Sequence, residues 1–494
     1  MTTMDTVLAP DPTLRTAAER VVARIGADQS RPEAFPVHDP HDDTVIGYVP
    51  DVGADEALKG IARADAAGRA WAATTPRHRA DILRRWYDLL IANAEDIALL
   101  ITLEMGKTLA DARAEVGYGA DFVRWYAEEA TRHSGTVREA PGGGARLLTQ
   151  RAPVGLAVLI TPWNFPLAMA TRKIAPALAA GCSAVIKPAA LTPLTTVFAV
   201  RLAVEAGMPE DLVQIVTTSD SGAFSKAVLA DPRVRKVSFT GSTGVGKVLL
   251  RLAADNVLKS SMELGGNAPF VVFDDADLER AVEGAFIAKT RNGGQSCIAA
   301  NRFLVQDGIA DAFVEGLTER LASLRTGSGF AAGVGLGPMV DHKAVHRLEG
   351  LVDDATSRGA KLLTELGRYE GPGSHFGAAV LDHVPGDAEV ATTEIFGPIA
   401  AVQRFSTQEE AVTRANDTEF GLAGYVFTES LDRAFTVADS LATGIVGINQ
   451  GVPSNAAAPF GGVKESGLGR EGGAEGLDEY QEIRFYNLAV RSTS

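Results

Sequence analysis

The sequence predicts an α/β fold built as two parallel-sheet domains, and three observations predict it. Short β-branched runs alternate with helix-length stretches from residue 154 to 254, and the alternation restarts after Gly265-Gly266 and continues to residue 448. A chain of 494 residues also exceeds one domain at roughly 100–200 residues each. Parallel strands need a crossover between them, and each run is followed by a segment long enough to supply one.

In chain order, residues 78–130 are helical by period. Ile82, Leu83, Trp86, Leu89 and Leu90 fall at i, i+1, i+4, i+7 and i+8 with charges between them, the stripe of helices packed on a core. After Gly135 the character changes, and Pro141-Gly142-Gly143-Gly144 separates two short polar runs, which reads as an excursion or hairpin. The first series then places strands at 154–160, 183–187, 213–216 and 235–239, with helices at 168–180, 193–206, 221–230 and 244–254. The second places strands at 270–273, 302–306, 400–404, 425–427 and 445–448, with helices at 278–291, 310–324, 408–414 and 432–441. Ligands of open parallel sheets gather beyond the carboxyl ends of strands, so the residues just after each strand, and a cleft between the domains, are where a site is sought.

Composition excludes several classes. Hydrophobic residues at 46% and charged residues at 22% are ordinary for a globular chain and argue against disorder or a fibrous repeat. Acidic side chains number 62 against 47 basic ones, a formal charge of −15 that repels nucleic-acid backbones and anionic lipid, so neither is an expected partner. An acidic small-molecule substrate would need arginines concentrated at its site. Two cysteines, Cys182 and Cys297, make no disulfide framework and suit a reducing compartment. The N-terminal region holds no apolar stretch of the secretory kind, roughly 7–15 residues, and no run of about 18 apolar residues occurs, so a cytoplasmic protein is expected.

Four segments carry candidate chemistry. Cys297 follows Asn292-Gly293-Gly294-Gln295-Ser296, where glycines would allow an exposed, reactive thiol; it also reads as a small buried residue in a Gly-rich turn. Cys182, between Gly181 and Ser183, reads as core. Glu263 lies in Met262-Glu263-Leu264-Gly265-Gly266, where partial burial would raise its pKa towards that of a general base, although a surface carboxylate is the plainer reading. Thr161-Pro162-Trp163-Asn164-Phe165-Pro166 is rigid enough to fix the Asn164 amide for a developing oxyanion, or is simply a turn. Phe239-Thr240-Gly241-Ser242-Thr243-Gly244-Val245-Gly246 is a strand running into a Gly-rich helix start that favours a phosphate, but its spacing is neither the dinucleotide fingerprint nor a phosphate loop.

Taken together, these segments resemble the aldehyde dehydrogenase superfamily, and within it the succinate-semialdehyde dehydrogenases, from about residue 30 to 490. The resemblance is carried by Thr161–Pro166, Lys187-Pro188-Ala189, Phe239–Gly246, Glu263–Gly266, Gly294–Cys297, Glu394–Pro398 and Pro459–Arg470, in that order. It implies a Rossmann-like cofactor domain over 1–132 and 152–262, a catalytic domain over 263–465, and a small β element for oligomerisation over 133–151 and 466–494. It implies that Cys297 attacks the aldehyde carbon, that the Asn164 amide and the Cys297 N–H hold the oxyanion, and that Glu263 activates the water that releases the carboxylate.

For the cofactor, NADP or NAD, the resemblance points to Gly241 and Ser242 on the pyrophosphate side, Lys187 at the adenosine ribose, Glu394 and Phe396 at the nicotinamide ribose, and Trp163 and Gly265 in the same cleft. A departure is Ala190, where many NAD-preferring relatives carry a glutamate that repels a 2′-phosphate; its absence inclines the reading towards NADP alongside NAD. Arg172, Arg291 and Ser454 match the residues that hold the distal carboxylate of succinate semialdehyde, and a guanidinium fork suits a carboxylate. Glutarate semialdehyde or a broader range of aldehydes are the alternatives. A second departure, Ala299, removes the cysteine that in some relatives forms a regulatory disulfide with the nucleophile. Relatives are dimers or tetramers, and Ile483, Phe485 and Tyr486 give the last segment apolar groups to bury. A cysteine hydrolase is the reading from another class, but no histidine lies in a motif marking it as a partner. A non-catalytic use of the fold would leave nucleophile, base and amide donor without a purpose.

Overall fold

In the computed structural model, which describes residues 7–132, 134–366 and 369–490, three sheets organise the chain. The first has six strands in the order Gly467–Leu468, Lys259–Glu263, Val234–Thr240, Leu156–Ile160, Ala184–Lys187 and Val213–Ile215. All its pairings are parallel except that of Gly467–Leu468, and Val158 sits opposite Val237 and Val185. The second has seven, in the order Lys361–Leu362, Ala379–Asp382, Ile399–Phe405, Ala300–Gln306, Ala268–Val272, Ala423–Phe427 and Ile445–Ile448, parallel apart from Lys361–Leu362. Two α/β units result, as the alternation of strands and helices requires.

The central strands are continuous apolar runs because both of their faces are covered. Leu156–Ile160 and Ala268–Val272 are buried at every position. The expected strand at 154–160 begins at Leu156 because Gly155, at φ 117°, turns the chain into it. Helix Pro166–Ala180 follows, buried along its whole length, with proline in its first turn and Gly181 in the left-handed conformation at its end. The expected helical region resolves into Pro76–Ala92, Ala94–Met105 and Leu109–Glu129. Two buried indoles fasten helices to this core, Trp71 Nε1 donating to Leu178 O at 3.0 Å and Trp86 Nε1 to Ala199 O at 2.9 Å.

Several elements have no counterpart in the sequence reading, among them two strands of the large sheets and one helix. Strand Lys259–Glu263 contains no β-branched residue and is a strand through its pairing with Val234–Thr240. Strand Ala379–Asp382 and helix His342–Ser357 lie in the stretch left unassigned between the two halves of the second series.

The glycine-rich hairpin is present as strands Val137–Glu139 and Ala145–Pro153, joined by Gln481–Ala489 in an antiparallel three-stranded sheet. The expected 466–494 segment is divided, since Gly467–Leu468 joins the six-stranded sheet by pairing with Met262 and Glu263. Residues 1–6, 133, 367, 368 and 491–494 of the expected spans lie outside the described residues. Among the described residues no helix is long and apolar enough to cross a membrane, and no group of His, Cys, Asp and Glu could hold a metal ion.

Candidate active site

Between the two large sheets lies a cavity of about 600 Å³. The six-stranded sheet reaches it by carboxyl ends: Trp163 and Asn164 follow Leu156–Ile160, Gly241 and Ser242 follow Val234–Thr240, and Glu263 ends Lys259–Glu263. The seven-stranded sheet reaches it by amino ends, which corrects the expectation of carboxyl ends throughout. Gly265 precedes Ala268–Val272, Cys297 precedes Ala300–Gln306, and Glu394 and Phe396 precede Ile399–Phe405. The reason is the direct connection: the chain leaves the first sheet at Glu263 and enters the second five residues later at Ala268.

The turn that carries Cys297 is made by three consecutive left-handed residues, Asn292 at φ 59°, Gly293 at 62° and Gly294 at 75°. A Cβ at Gly294 would lie 2.4 Å from the carbonyl oxygen of Gly397, so only glycine fits. Cys297 is half-buried on the cavity wall rather than an exposed thiol. Burial pushes its pKa up to about 12; Arg172 acts against this, while Glu394 and Glu263 add to it. Cys182 is buried, as expected of a core residue.

Glu263 is 1% exposed, and neither carboxylate oxygen has a hydrogen-bond partner among the described residues. Burial, then the negative charge of Glu471, lifts its pKa well above the carboxylate range, with Arg172, Lys173 and Arg470 opposing. The perturbation of this carboxyl group is thus larger than the partial burial expected from the sequence implies. Asn164 is buried, and its Nδ2 donates to Gln295 O at 3.0 Å, which pins the amide against the segment leading into Cys297.

Arg172 and Arg291 both line the cavity, in different states. Arg172 is 1% exposed, its Nε paired with Glu471 and its guanidinium 4.3 Å above the Phe460 ring. Lys173 shares the same carboxylate. Arg291 makes no ion pair among the described residues, although its charge acts on the Asp111 carboxylate; it lies over the rings of Phe165, at 5.1 Å, and Tyr118, at 5.4 Å. Tyr118 is hydrogen-bonded through its hydroxyl to Ser454 Oγ, which brings the third expected residue beside Arg291.

On the opposite part of the cavity, Trp163 and Phe396 meet edge to face at 5.4 Å. Glu394 accepts the N–H of Gly266 at 3.0 Å, and burial raises its pKa to about 7. Helix Thr243–Ala254 begins after Gly241, and Ser242 makes no side-chain cap, so its first-turn N–H groups await an acceptor. Lys187 and Ala190 do not line the cavity; they lie at and beyond the end of Ala184–Lys187, with Lys187 paired in register with Ile160. Burial lowers the Lys187 pKa to about 8, and among the described residues its Nζ has only Pro188 O, at 3.3 Å. Free helix N–H groups, an ammonium lacking a carboxylate, a buried carboxyl and an aromatic wall together fit a nicotinamide dinucleotide.

Phe165 and Phe460 lie inside segments singled out in the sequence, and Glu471 is the next residue after Pro459–Arg470, although nothing in the sequence paired it with Arg172. Tyr118 had no such signal, because helical periodicity locates it on a helix without saying that it reaches the cavity.

The profile of the aldehyde dehydrogenase family matches residues 27–486. A succinate-semialdehyde dehydrogenase of Escherichia coli, named for NADP(+), is 46% identical over 94% of this chain and 96% of its own length. A glutarate-semialdehyde dehydrogenase of Pseudomonas aeruginosa is 47% identical over 93% of this chain and 95% of its own. Among solved structures, the succinate-semialdehyde dehydrogenase from Burkholderia pseudomallei has a TM-score of 0.91 at 46% identity, covering 92% of this chain and 95% of that one. With a cavity that fits a nicotinamide dinucleotide beside a cysteine, and a family match over nearly its whole length, the chain belongs to the aldehyde dehydrogenase family, enzymes that oxidise an aldehyde to a carboxylate with NAD or NADP.

Proposed function

We propose that this enzyme oxidises succinate semialdehyde to succinate. One observation carries the substrate: Arg291 offers a guanidinium that makes no ion pair among the described residues, framed by two aromatic rings and beside Ser454, in the cavity that holds Cys297. In a protein of charge −15, such a cation is the place for a distal carboxylate. Arg172, paired with Glu471 through Nε and in contact with Met169 Sδ through Nη2, adds the charge that Glu471 leaves it.

In this reading Cys297 Sγ adds to the aldehyde carbon, and the oxyanion is held by the Asn164 amide and the Cys297 N–H. The thiol proton must leave at attack, since burial keeps the resting group protonated; it passes to Glu263 and from there to solvent before the second step. The chemistry a bound dinucleotide would supply is acceptance of the hydride from that carbon. Glu263, unpaired and raised in pKa, then takes a proton from the water that hydrolyses the resulting thioester, and Cys297 leaves as the thiol. Gly241, Ser242, Lys187, Trp163, Gly265, Glu394 and Phe396 would hold the dinucleotide. The six-stranded sheet is then the core of a cofactor domain, 1–132 with 152–262, and the seven-stranded sheet that of a catalytic domain, 263–465.

NADP is taken alongside NAD, because Ala190 presents no carboxylate to a 2′-phosphate and the similar E. coli enzyme is named for NADP(+). The protein is cytoplasmic and assembles as a dimer or tetramer. The three-stranded sheet supports this, with Ile483 60%, Phe485 58% and Leu488 58% exposed in the single chain. Glutarate semialdehyde is the second reading, favoured by the Pseudomonas relative; one methylene changes binding by only about 1–3 kcal/mol.

Steady-state kinetics test the substrate and cofactor together. Arg291→Ala is expected to raise KM for succinate semialdehyde about tenfold or more while leaving butanal little changed. Equal effects on both aldehydes would remove the substrate assignment and leave the reaction class intact, and a tenfold preference for NAD would remove the cofactor assignment.

A further inference from the structure

The main-chain carbonyl of Asn164 is gripped by two buried side chains, Lys107 Nζ at 2.8 Å and Asn292 Nδ2 at 3.0 Å. Lys107 belongs to neither large sheet. It sits between helices Ala94–Met105 and Leu109–Glu129, 3% exposed, with its ammonium 2.6 Å from Glu115 Oε2 and 4.1 Å from the centre of the Phe165 ring. The other oxygen, Glu115 Oε1, accepts the N–H groups of Leu167 and Ala168 at 2.9 and 3.2 Å, in the first turn of helix Pro166–Ala180. One carboxylate therefore anchors the helix start and the ammonium that holds residue 164. A carboxylate by itself would satisfy those amides and the helix dipole. A buried ion pair is weak evidence for stability, because desolvation offsets its attraction, so its effect is to be sought in the position of what it holds.

We propose that Lys107 and Glu115 are positioning residues for the oxyanion-binding amide of Asn164. They fix the backbone on one side while Nδ2, bonded to Gln295 O, is aimed two residues short of Cys297 on the other. The proposal rests on the role given to Asn164 above. A loosened carbonyl would let the amide swing away from the developing oxyanion and slow acylation.

Lys107→Met combined with Glu115→Gln removes both charges at once, leaving no unpaired ion buried. The stopped-flow burst of reduced nicotinamide is expected to slow about tenfold to a hundredfold, with KM for the aldehyde within about twofold of wild type. The same two changes placed in Asn164→Ala should slow that variant by less than about twofold, since no amide remains to be positioned. A burst at the wild-type rate, or a loss that multiplies in full with that of Asn164→Ala, overturns the proposal. Should the double variant not accumulate as folded protein, Glu115→Gln alone is read for the same burst, where a wild-type rate again overturns it. An unchanged burst in Asn164→Ala is a different result, which removes the role of Asn164 itself.

Discussion

Cys297 and Glu263 share one physical situation: both are acids whose ionised form is disfavoured by burial. For the thiol the sign is direct. With its pKa pushed up to about 12, the thiolate fraction at neutral pH is small and grows about tenfold per pH unit. Alkylation of Cys297 by iodoacetamide in the cofactor-free enzyme should therefore rise steadily from about pH 7 to 9. A rate already level at pH 7 would mean a thiolate held at rest, and a different activation. Cys182, fully buried, should stay unlabelled in the folded protein. At this scale the sequence was legible wherever chemistry and a local motif coincide, as at Cys297, Glu263 and Asn164. It was silent where the partner is distant in the chain: Glu471, which neutralises part of Arg172, and Glu115, which reaches across to Leu167, are placed by folding alone.

At the scale of elements, the site depends on how tightly the glycine-rich connections pass one another. A Cβ at Gly265 would stand 2.8 Å from Glu394 Oε2 and 3.3 Å from the Phe420 ring, so Gly265→Ala must displace the Glu394 carboxyl. The expected result is a several-fold rise in KM for the dinucleotide, with the folded protein retained and KM for the aldehyde nearly unchanged. Unaltered cofactor affinity would show that Glu394 does not hold the nicotinamide side. The strands rich in Val and Ile were legible because both faces are buried. Lys259–Glu263 was not, since its residues favour no strand and only the neighbouring Val234–Thr240 makes one of them. Helix His342–Ser357 had a readable stripe in Leu348, Leu351, Val352 and Ala355, at i, i+3, i+4 and i+7.

For the whole molecule, the arrangement that matters is two sheets meeting carboxyl end to amino end across one cavity. The sequence announced two α/β units and a cleft, but which ends of the second sheet face that cleft depends on the chain crossing from Glu263 to Ala268. This crossing places the proposed nucleophile, base and amide on different elements around one space, so the chemistry requires both units folded together. The claim on which the rest depends is a covalent acyl intermediate on Cys297, resolved by Glu263. Its most direct test is mass spectrometry of Glu263→Gln after brief mixing with succinate semialdehyde and NADP. The account predicts one succinyl group, carried as a thioester on the peptide containing Cys297 and absent from Cys297→Ala. An unmodified Cys297, or acylation of another residue, would contradict it.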